Sequence, residues 1–415
     1  MREMKDSGVE WIGEIPSHWE PIRFRFIAKI TTGNQDTQNA DPDGEYPFYV
    51  RSPIVERCKN YTFDGEGILM AGDGAGAGRV FHLVDGKYAV HQRVYRFYDF
   101  KYMNPVLLKY YLENLFATVM DYGSAKTTVP SVRLPMIQDF VVCVPPIEEQ
   151  MSILPFISNK CTQVDTLITN VQAEIEKLKA YKQSVITEVV TKGLDPSVSM
   201  KDSGVEWIGE IPETWQIVRK LSYVTEEGIS YGIVKLFDPD DVNGVKVLRC
   251  SDVLEGYICP DNIRTVTSKV SNEYARTILQ GGEVVVNIRG SLGGCAVVPE
   301  YMTGYNIARE VAKITLNETM HNRYVMYHLL SRNFVEYRTS HLSGSVYVGL
   351  NIELLSSCPV PAPSIKEQIQ LADYLDMKCG QIDQLIAIKQ KKIDKLNEYK
   401  KSLIYEYVTG KREVV

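Results

Sequence analysis

The chain has 415 residues, of which 44% are hydrophobic and 24% are charged, and its formal net charge is −6. This length predicts two or three domains, and the composition is that of a globular protein. A membrane span and a secretory signal are not expected, because no sufficiently long apolar run occurs, and the negative charge argues weakly against a protein that binds nucleic acid unaided.

A thirteen-residue stretch, MKDSGVEWIGEIP, begins each of two halves of the chain. It occupies residues 4–16 and returns letter for letter at residues 200–212, and a tryptophan follows each copy. Repetition of this fidelity indicates an internal duplication. The identity suggests that each copy contacts the same partner surface, and recombination within the gene is the alternative explanation. The candidate contacts are the tryptophans Trp11, Trp19, Trp207 and Trp215.

Short strands are predicted after the first copy. Segments rich in β-branched and aromatic residues are punctuated by glycine and aspartate, and an amphipathic helix follows over residues 104–120. This pattern predicts a domain that mixes strands and helices. The strand-like segments are YPFYVRSPIV (46–55), GEGILMAG (65–72), RVFHLV (79–84) and YAVHQRVYRF (88–97).

A long helix is predicted next, over residues 145–195. Apolar residues recur there at alternating steps of three and four, which is typical of the narrow seam of a coiled coil. Lys182 interrupts this seam. About forty residues of helix would form a rod of ~60 Å.

The second half of the chain repeats this order of elements. Its helical segment lies at residues 362–415, where Lys389 and Lys400 interrupt the seam. Two seams in one chain are expected to pair antiparallel, because that arrangement makes the two halves equivalent. The strand-like segments are VKVLRCSDVL (245–254), GGEVVVNIRG (281–290), GCAVV (294–298) and YNIAREVAKITL (305–316), and the amphipathic helix is NRYVMYHLLSRNFVEYR (322–338).

The predicted fold is therefore of the α/β (α+β) class with a pseudo-twofold internal repeat. Two tandem variable domains are joined by two long helices that form an antiparallel coiled coil. The predicted segments are residues 1–144 (first leader and variable domain), 145–195 (central helix), 196–361 (second leader and variable domain) and 362–415 (C-terminal helix).

The sequence offers little support for catalysis. AGDGAGAG (71–78) and NIRGSLGG (287–294) resemble nucleotide-binding loops only loosely, since strand-like residues follow where a dinucleotide site needs a helix. Eight scattered cysteines form no CxxC pair, and six histidines form no spaced set. We therefore expect both glycine-rich segments to be turns between strands. No catalytic residues, metal or cofactor are expected in this chain. The scattered cysteines fit a reducing, cytoplasmic location.

Polar side chains recur at corresponding places in the two variable domains. Arg, Gln and Asn can make bidentate contacts to guanine or adenine, whereas Ser, Thr and Lys suit phosphates. A solvated loop explains any single residue equally well, and a half-buried strand position explains the histidine, but the recurrence supports the set. The candidates for DNA contact are Arg51, Ser52, Arg79, His91, Gln92, Arg93, Lys126, Thr127, Thr128, Ser131, Arg133, Arg249, Ser251, Arg289, Ser291, Asn306, Arg309, Ser345, Tyr347 and Asn351.

The charge of the first variable domain bears on how it would bind DNA. Residues 21–144 contain 14 Lys and Arg against 13 Asp and Glu, so the domain is nearly neutral. A free-standing DNA-binding protein usually carries a surplus of cations, which gains free energy by releasing counterions. The near-neutral domain therefore favours a component of a complex whose partner subunits supply phosphate contacts.

The leader GVEWIGEIPxxW, the variable domain and a helix with the patterns EEQ, IDxLI and YKxSLI, all occurring twice with small variations, resemble the specificity subunit of type I restriction-modification systems. The resemblance covers essentially the whole chain. It implies that each variable region is a target recognition domain that reads one half of a bipartite double-stranded DNA sequence, and that the paired helices set the spacer.

The resemblance also implies the partners. Two methyltransferase subunits, which bind S-adenosylmethionine and methylate adenine, would dock on a non-catalytic specificity subunit, and ATP-driven restriction subunits can join them. S-adenosylmethionine, ATP and Mg²⁺ are then expected only in the partner subunits. In this family the base-contacting residues differ among members, so the candidates above depend on chemistry and position alone.

Two other functions compete with this interpretation. A self-contained DNA-modifying enzyme would need a methyltransferase or nuclease motif, and we find none in the sequence. A coiled-coil scaffold that binds only proteins would explain the helices, but it gives no reason for two variable domains with one plan and different polar residues.

Overall fold

The chain forms two compact units. The computed structural model describes residues 2–123, 130–234, 244–342 and 349–414. Unit 1 comprises residues 1–172 and 391–415, and unit 2 comprises residues 173–390. The unit boundaries fall inside the two predicted long helices, so the compact units cut across the four segments predicted from the sequence.

Unit 1 consists mainly of short strands followed by helices. Its strands are β1 (Met4–Asp6), β2 (Glu14–Pro16), β3 (Glu20–Arg23), β4 (Lys29–Thr32), β5 (Tyr46–Tyr49), β6 (Glu56–Cys58), β7 (Phe63–Asp64), β8 (Gly67–Ala71), β9 (Phe81–Val84), β10 (Lys87–Val90), β11 (Val94–Tyr98) and β12 (Val141–Val144). Its helices are α1 (Pro105–Gly123), α2 (Leu134–Gln138), the first part of α3 (Ile147–Lys192), the last part of α8 (Ile365–Val408), and 3-10 turns at Phe24–Phe26 and Thr37–Asn39. The helix predicted at residues 104–120 is confirmed as α1.

Two four-stranded sheets form the centre of unit 1. One has the order β4-β11-β8-β9 and the other β6-β5-β10-β7, while β1 pairs with β2 and β3 pairs with β12. Strands β10 and β5 are parallel, and the other pairs are antiparallel. Helix α1 packs its buried face, including Leu108 and Tyr111, into the same core as Ile68 and Met70 of β8.

Unit 2 has the same plan with fewer strands. Its strands are β13 (Met200–Asp202), β14 (Glu210–Pro212), β15 (Gln216–Val218), β16 (Ser230–Tyr231), β17 (Val245–Leu248), β18 (Arg264–Val266), β19 (Val284–Asn287), β20 (Cys295–Val297), β21 (Asn306–Ile307), β22 (Val311–Ile314) and β23 (Val360–Ala362). Its helices are the last part of α3, α4 (Ser268–Glu273), α5 (Asn322–Leu330), α6 (Arg332–Leu342), α7 (Ile352–Ser356), the first part of α8 (Ile365–Val408), and 3-10 turns at Leu221–Val224, Ala275–Thr277 and Glu300–Met302.

The sheets of unit 2 correspond strand by strand to those of unit 1. The order β16-β22-β19-β20 matches β4-β11-β8-β9, and β18-β17-β21 matches β6-β5-β10. The parallel pair is preserved, since Leu248 lies opposite Ile307 as Tyr49 lies opposite Val90. The strand register therefore aligns the two units residue by residue. The sequences of the variable domains are too dissimilar to give this alignment on their own.

Three elements predicted as continuous are interrupted. The segment 88–97 is predicted as one strand, but β10 ends at Val90 and β11 begins at Val94, so the chain passes from one sheet to the other. The equivalent segment 305–316 is split in the same way into β21 and β22. The segment 322–338 was expected as one helix, but Ser331 is extended between α5 and α6. The Ser331 hydroxyl donates to His328 O at 2.6 Å, so a side chain takes part in ending α5.

The two long helices are continuous and pair antiparallel in each unit, as predicted. Helix α3 has 46 residues and α8 has 44. In unit 1, Lys400 on α8 forms an ion pair with Asp165 on α3 at 2.7 Å. In unit 2, Lys182 pairs with Asp383 at 2.7 Å and Lys389 with Glu174 at 2.5 Å. The lysines that interrupt the apolar seam therefore each meet an acidic residue on the facing helix.

A glutamate and a glutamine in the first turn of each long helix fasten it to its own domain. The Trp19 indole donates to Glu149 Oε2 at 3.1 Å, and the Trp215 indole donates to Glu367 Oε1 at 3.0 Å. The next residue, Gln368, is fully buried; it accepts from His321 N at 2.7 Å and donates to Pro363 O at 2.9 Å and Thr319 O at 3.1 Å. The repeated EQ motif is thus explained by these contacts.

Replacing Gln368 with alanine should destabilise unit 2. The change removes the hydrogen-bond partner of the His321 amide and of two carbonyls. The contacts with His321 and Thr319 are only partly buried, so each loss costs about 1 kcal/mol. We expect the free energy of unfolding, measured with urea, to fall by roughly 2–3 kcal/mol. Gln370→Ala, at an exposed position two residues further along the same helix, is the matched control and should change it by less than about 0.5 kcal/mol. Equal effects of the two substitutions would contradict this role.

Candidate nucleic-acid interface

The turn between β10 and β11 presents two polar side chains at the edge of unit 1. The His91 amide donates to Tyr49 O at 3.0 Å, and the Gln92 amide donates to Gln35 O at 2.8 Å. His91 is buried, and its Nδ1 accepts from Arg93 N at 2.9 Å. Burial, followed by the nearby Arg51, lowers the pKa of His91, so the ring is neutral near pH 7. His91 therefore supports the turn, while Gln92 and Arg93 are exposed.

The glycine-rich segment after β8 lies beside this turn, between strands β8 and β9 as predicted. The Gly72 amide donates to Arg93 O at 2.9 Å, and a Cβ at Gly72 would approach that oxygen to 2.8 Å, so only glycine fits. The carboxylate of Asp73 contacts Arg51 at 3.1 Å and Arg93 at 3.6 Å. Arg51 and Asp73 line part of a cleft of about 560 Å³ that also includes Ser52.

The segment before α2 joins the same edge. The Val132 amide donates to Gly72 O at 2.8 Å, which places the exposed Ser131 and Arg133 next to the glycine-rich segment. Segments far apart in the sequence thus meet at the ends of β5, β8 and β10. We call this surface the reading edge of unit 1, formed by Arg51, Ser52, Asp73, Arg79, Gln92, Arg93, Ser131 and Arg133.

Unit 2 builds the same edge with the same backbone hydrogen bonds. The Arg309 amide donates to Ile233 O at 2.9 Å, Ile288 N donates to Glu310 O at 2.8 Å, and Leu350 N donates to Ile288 O at 2.8 Å. The reading edge of unit 2 is formed by Arg249, Ser251, Arg289, Ser291, Arg309, Glu310 and Asn351.

The equivalent positions of the two edges carry different side chains. The shared hydrogen bonds align Gln92 with Arg309, Arg93 with Glu310, Asp73 with Arg289, and Arg133 with Asn351. At two of these positions the charge is reversed. One scaffold therefore presents two different sets of hydrogen-bonding groups.

Some predicted residues of unit 2 have structural partners. Arg249 donates from Nη2 and Nε to the two oxygens of the buried Asp252, at 3.0 and 3.1 Å, and these hydrogen bonds raise the Arg249 pKa. The hydroxyl of Ser251 donates to the same carboxylate at 2.9 Å. The strand register aligns Arg249 with Val50 rather than with Arg51, as the sequence comparison suggested.

Besides the buried His91, three predicted contact residues lie in the core, and their assignment is corrected. Asn306 is fully buried; its Nδ2 donates to Ser271 Oγ at 3.0 Å, and its Oδ1 accepts from Thr277 Oγ1 at 2.6 Å. Trp19 and Trp215 are likewise buried, with exposures of 0% and 1%. Side chains without accessible surface cannot contact DNA or a partner in this conformation.

The remaining predicted residues fall into three groups. Trp11 and Trp207 are partly buried, and Trp207 packs against the Tyr337 ring at 5.2 Å between centroids. Asn351 is exposed but caps α7 by accepting from Leu354 N at 2.6 Å. Five predicted DNA contacts lie outside the described residues: Lys126, Thr127, Thr128, Ser345 and Tyr347.

Sequence analysis missed two acidic residues of unit 1, Asp73 in the reading edge and Asp36 beside it. Asp73 bridges two arginines, and Asp36 Oδ2 accepts from Gln92 Nε2 at 2.7 Å. The sequence did contain a signal for Asp73, because this carboxylate lies in a glycine-rich turn and arginines occur in the neighbouring loops. Asp73 neutralises part of the edge, consistent with the nearly neutral charge of the domain.

The described residues contain no group of three or more His, Cys, Asp or Glu side chains placed to hold a metal ion. None of their helices is both long and apolar enough to cross a membrane.

Comparison with known proteins identifies a family to which the sequence is similar. Residues 16–177 and 212–411 match the family described as Type I restriction modification DNA specificity domain. The chain is 26% identical to the MjaVIII specificity subunit of Methanocaldococcus jannaschii, covering 96% of this chain and 94% of that protein. It is 21% identical to the EcoDI specificity subunit of Escherichia coli, covering 96% of this chain and 89% of that protein.

A solved chain has the same fold. It comes from a structure described as the structural basis of complex assembly and conformational transition of the type I R-M system. The TM-score is 0.67 at 16% identity, with 96% of this chain and 99% of that chain covered. The chain thus contains two DNA specificity domains of one shared plan, at residues 16–177 and 212–411. The chain belongs to the type I restriction-modification DNA specificity family, as its sequence indicated.

Neutralising Asp73 should strengthen non-specific DNA binding. In Asp73→Asn, Arg51 and Arg93 lose their carboxylate partner and become available to phosphates. We expect the slope of log K against log[salt] to steepen by roughly one unit. Asp64→Asn makes the same charge change on β7, at the opposite end of β10, and should leave the slope close to that of the wild type. Fluorescence anisotropy on a random duplex at several salt concentrations measures this, and identical slopes for both variants would refute it.

Proposed function

We propose that each unit reads one half of a bipartite double-stranded DNA target and that the chain is the non-catalytic specificity subunit of a restriction-modification complex. Two methyltransferase subunits would bind the chain and bring S-adenosylmethionine, and restriction subunits with ATP and Mg²⁺ would join some assemblies. Such a complex would act in the cytoplasm, where it meets cellular DNA.

The observation that carries this proposal is the pair of matched reading edges. A scaffold that only bound protein would have no need for two edges with one backbone and different donors and acceptors. Gln92 suits adenine and Arg309 suits guanine, because these side chains can make bidentate contacts in the major groove. Different side chains at equivalent positions would give the two halves different sequences.

The leader hairpins are the proposed docking sites for the two methyltransferase subunits. Strands β1-β2 and β13-β14 have the same register, and the acidic residues Glu10 and Glu206 are exposed at equivalent places. Of the four tryptophans, Trp11 and Trp207 keep accessible surface for such a contact. Identical exposed residues next to dissimilar domains support an identical partner at each site.

Single substitutions at the two edges should each alter one half of the target. We expect Gln92→Ala to relax the preference at one base pair of one half, and Arg309→Ala at one base pair of the other, by about 1–3 kcal/mol. The measurement is sequencing of methylated adenines in cells that express each variant with its partner subunits. Arg276→Ala, an exposed arginine outside the reading edge, is the control. Loss of both halves together in either variant would contradict separate reading.

Lengthening both helices should change the spacer and neither half-site. One heptad inserted after Gln172 and one after Gln390, at the unit boundaries, keeps the contacts within each unit. Seven residues add about 10 Å of helix, which corresponds to roughly three base pairs at ~3.4 Å each. The methylated motif should therefore gain about three unspecified base pairs. A heptad in α3 alone breaks the register and serves as the mismatched control; an unchanged spacer in the double insertion would refute the role of the helices.

A further inference from the structure

Unit 2 has an acidic pocket at the end of its central sheet opposite the reading edge. The pocket has a volume of about 610 Å³ and lies where β19 begins and β22 ends. None of the residues that form the reading edge of unit 2 lines this pocket. Its lining includes four glutamates, Glu226, Glu227, Glu283 and Glu318.

The innermost of these carboxylates has an unused oxygen. Glu283 is 4% exposed, and its Oε1 accepts from Gln280 N at 2.7 Å within the turn before β19. Its Oε2 is buried and has no hydrogen-bond partner among the described residues. A buried carboxylate oxygen without a donor is costly, and a ligand that donates to it would remove that cost.

The turn that carries Glu283 contains two glycines. Gly281 and Gly282 line the pocket with φ of +91° and +87°, a backbone conformation that favours glycine. These two positions therefore add no side chain to the pocket lining.

The charge balance of the pocket is strongly negative. Glu226, Glu227 and Glu318 are exposed at its rim. Among the lining residues, Lys313 is the cation, with Nζ 3.9 Å from Glu227 and 3.4 Å from Ile278 O. Burial lowers the pKa of His321, which is therefore neutral near pH 7. Four carboxylates against one ammonium leave about three negative charges for a ligand to meet.

The shared fold does not require this pocket. In unit 1 the position of Glu283 is occupied by Gly67, and that of Lys313 by Arg96. The Arg96 guanidinium lies over the rings of Phe63 and Tyr98, at 4.8 and 4.5 Å from their centroids. Aromatic side chains thus cover the equivalent cation in unit 1, whereas unit 2 has an open acidic pocket.

The shape of the pocket favours an extended organic cation. The glutamates are not gathered into a set that could hold a metal ion, within the described residues. Leu316, Met320 and Ile365 provide an apolar wall. A molecule that alternates ammonium groups with methylene segments complements both features. We propose that this pocket binds a linear polyamine, with one ammonium group donating to Glu283 Oε2 and the next ones at the rim glutamates.

Calorimetric titration of the full chain with spermidine tests this site. We expect one spermidine per chain, and Glu283→Gln should weaken binding roughly tenfold or more, since a charged hydrogen bond is lost. The glutamine oxygen can still accept from Gln280 N, so the fold should be retained. Glu318→Gln, on the exposed rim, should weaken binding by a smaller factor without touching the core. Glu273→Gln, exposed on α4 and outside the pocket, is the matched control.

Three results would overturn the proposal. The first is equal spermidine affinity of Glu283→Gln and the wild type. The second is displacement of spermidine by Mg²⁺ at equal concentration, which would reveal a general counterion effect. The third is tighter binding of an end-capped peptide with one lysine than of spermidine, which would assign the pocket to a protein side chain instead. A final comparison tests whether charge is needed for binding. We expect 1,4-diaminobutane to bind and 1,4-butanediol, which has the same carbon chain without ammonium groups, not to bind.

Discussion

The antiparallel pairing of the two long helices is the constraint on which both units depend. Unit 1 buries Leu403, Ile404 and Tyr407 from the end of α8 in the same core as Trp19, which lies nearly 400 residues away in the sequence. Unit 2 buries Val185, Val189 and Val190 from the end of α3 in the same way. Neither domain fills its own core, because each needs the final turns of a helix that begins in the other half of the chain.

The polar pairs in the helical seam explain why one register is selected. An apolar seam with heptad spacing can slide by one heptad at little cost, whereas a half-buried lysine needs its acidic partner. Lys400 with Asp165 and Lys182 with Asp383 are equivalent under the internal repeat. Each exposed pair contributes little to stability by itself, and its main effect is to penalise shifted alignments. Fixed register then holds the helix ends in the positions that the two cores require.

Sequence patterns predicted the large elements well. Period and repetition were sufficient for the long helices, their antiparallel pairing and the two domains of one plan. The turn at His91 was missed because its flanks continue a strand pattern without Gly or Pro, and a histidine nitrogen provides the local hydrogen bond. The break at Ser331 was missed for a similar reason, because a side-chain hydroxyl makes the local hydrogen bond there. Asn306 was predicted to contact DNA because the residue type alone does not show whether a side chain is buried in the core.

The leaders pack into equivalent surroundings in the two units. Ile15 and Trp19 share a core with Leu403 of α8, and Ile211 and Trp215 share a core with Val185 of α3. This shared interior accounts for the identity of the buried leader residues, whereas the glutamates Glu10 and Glu206 are exposed in both copies.

The division of the chain has a consequence for the order of folding during synthesis. Unit 2 is continuous in sequence, from residue 173 to 390, but unit 1 needs residues 391–415 as well. The ribosome therefore releases all of unit 2 before the last segment of unit 1 exists, although unit 1 begins first. A chain cut short by even the last few turns of α8 would leave the first core open to water. Residues 391–415 thus complete unit 1 late in synthesis, and copies that lack them would be recognisable to proteases by the exposed core of unit 1.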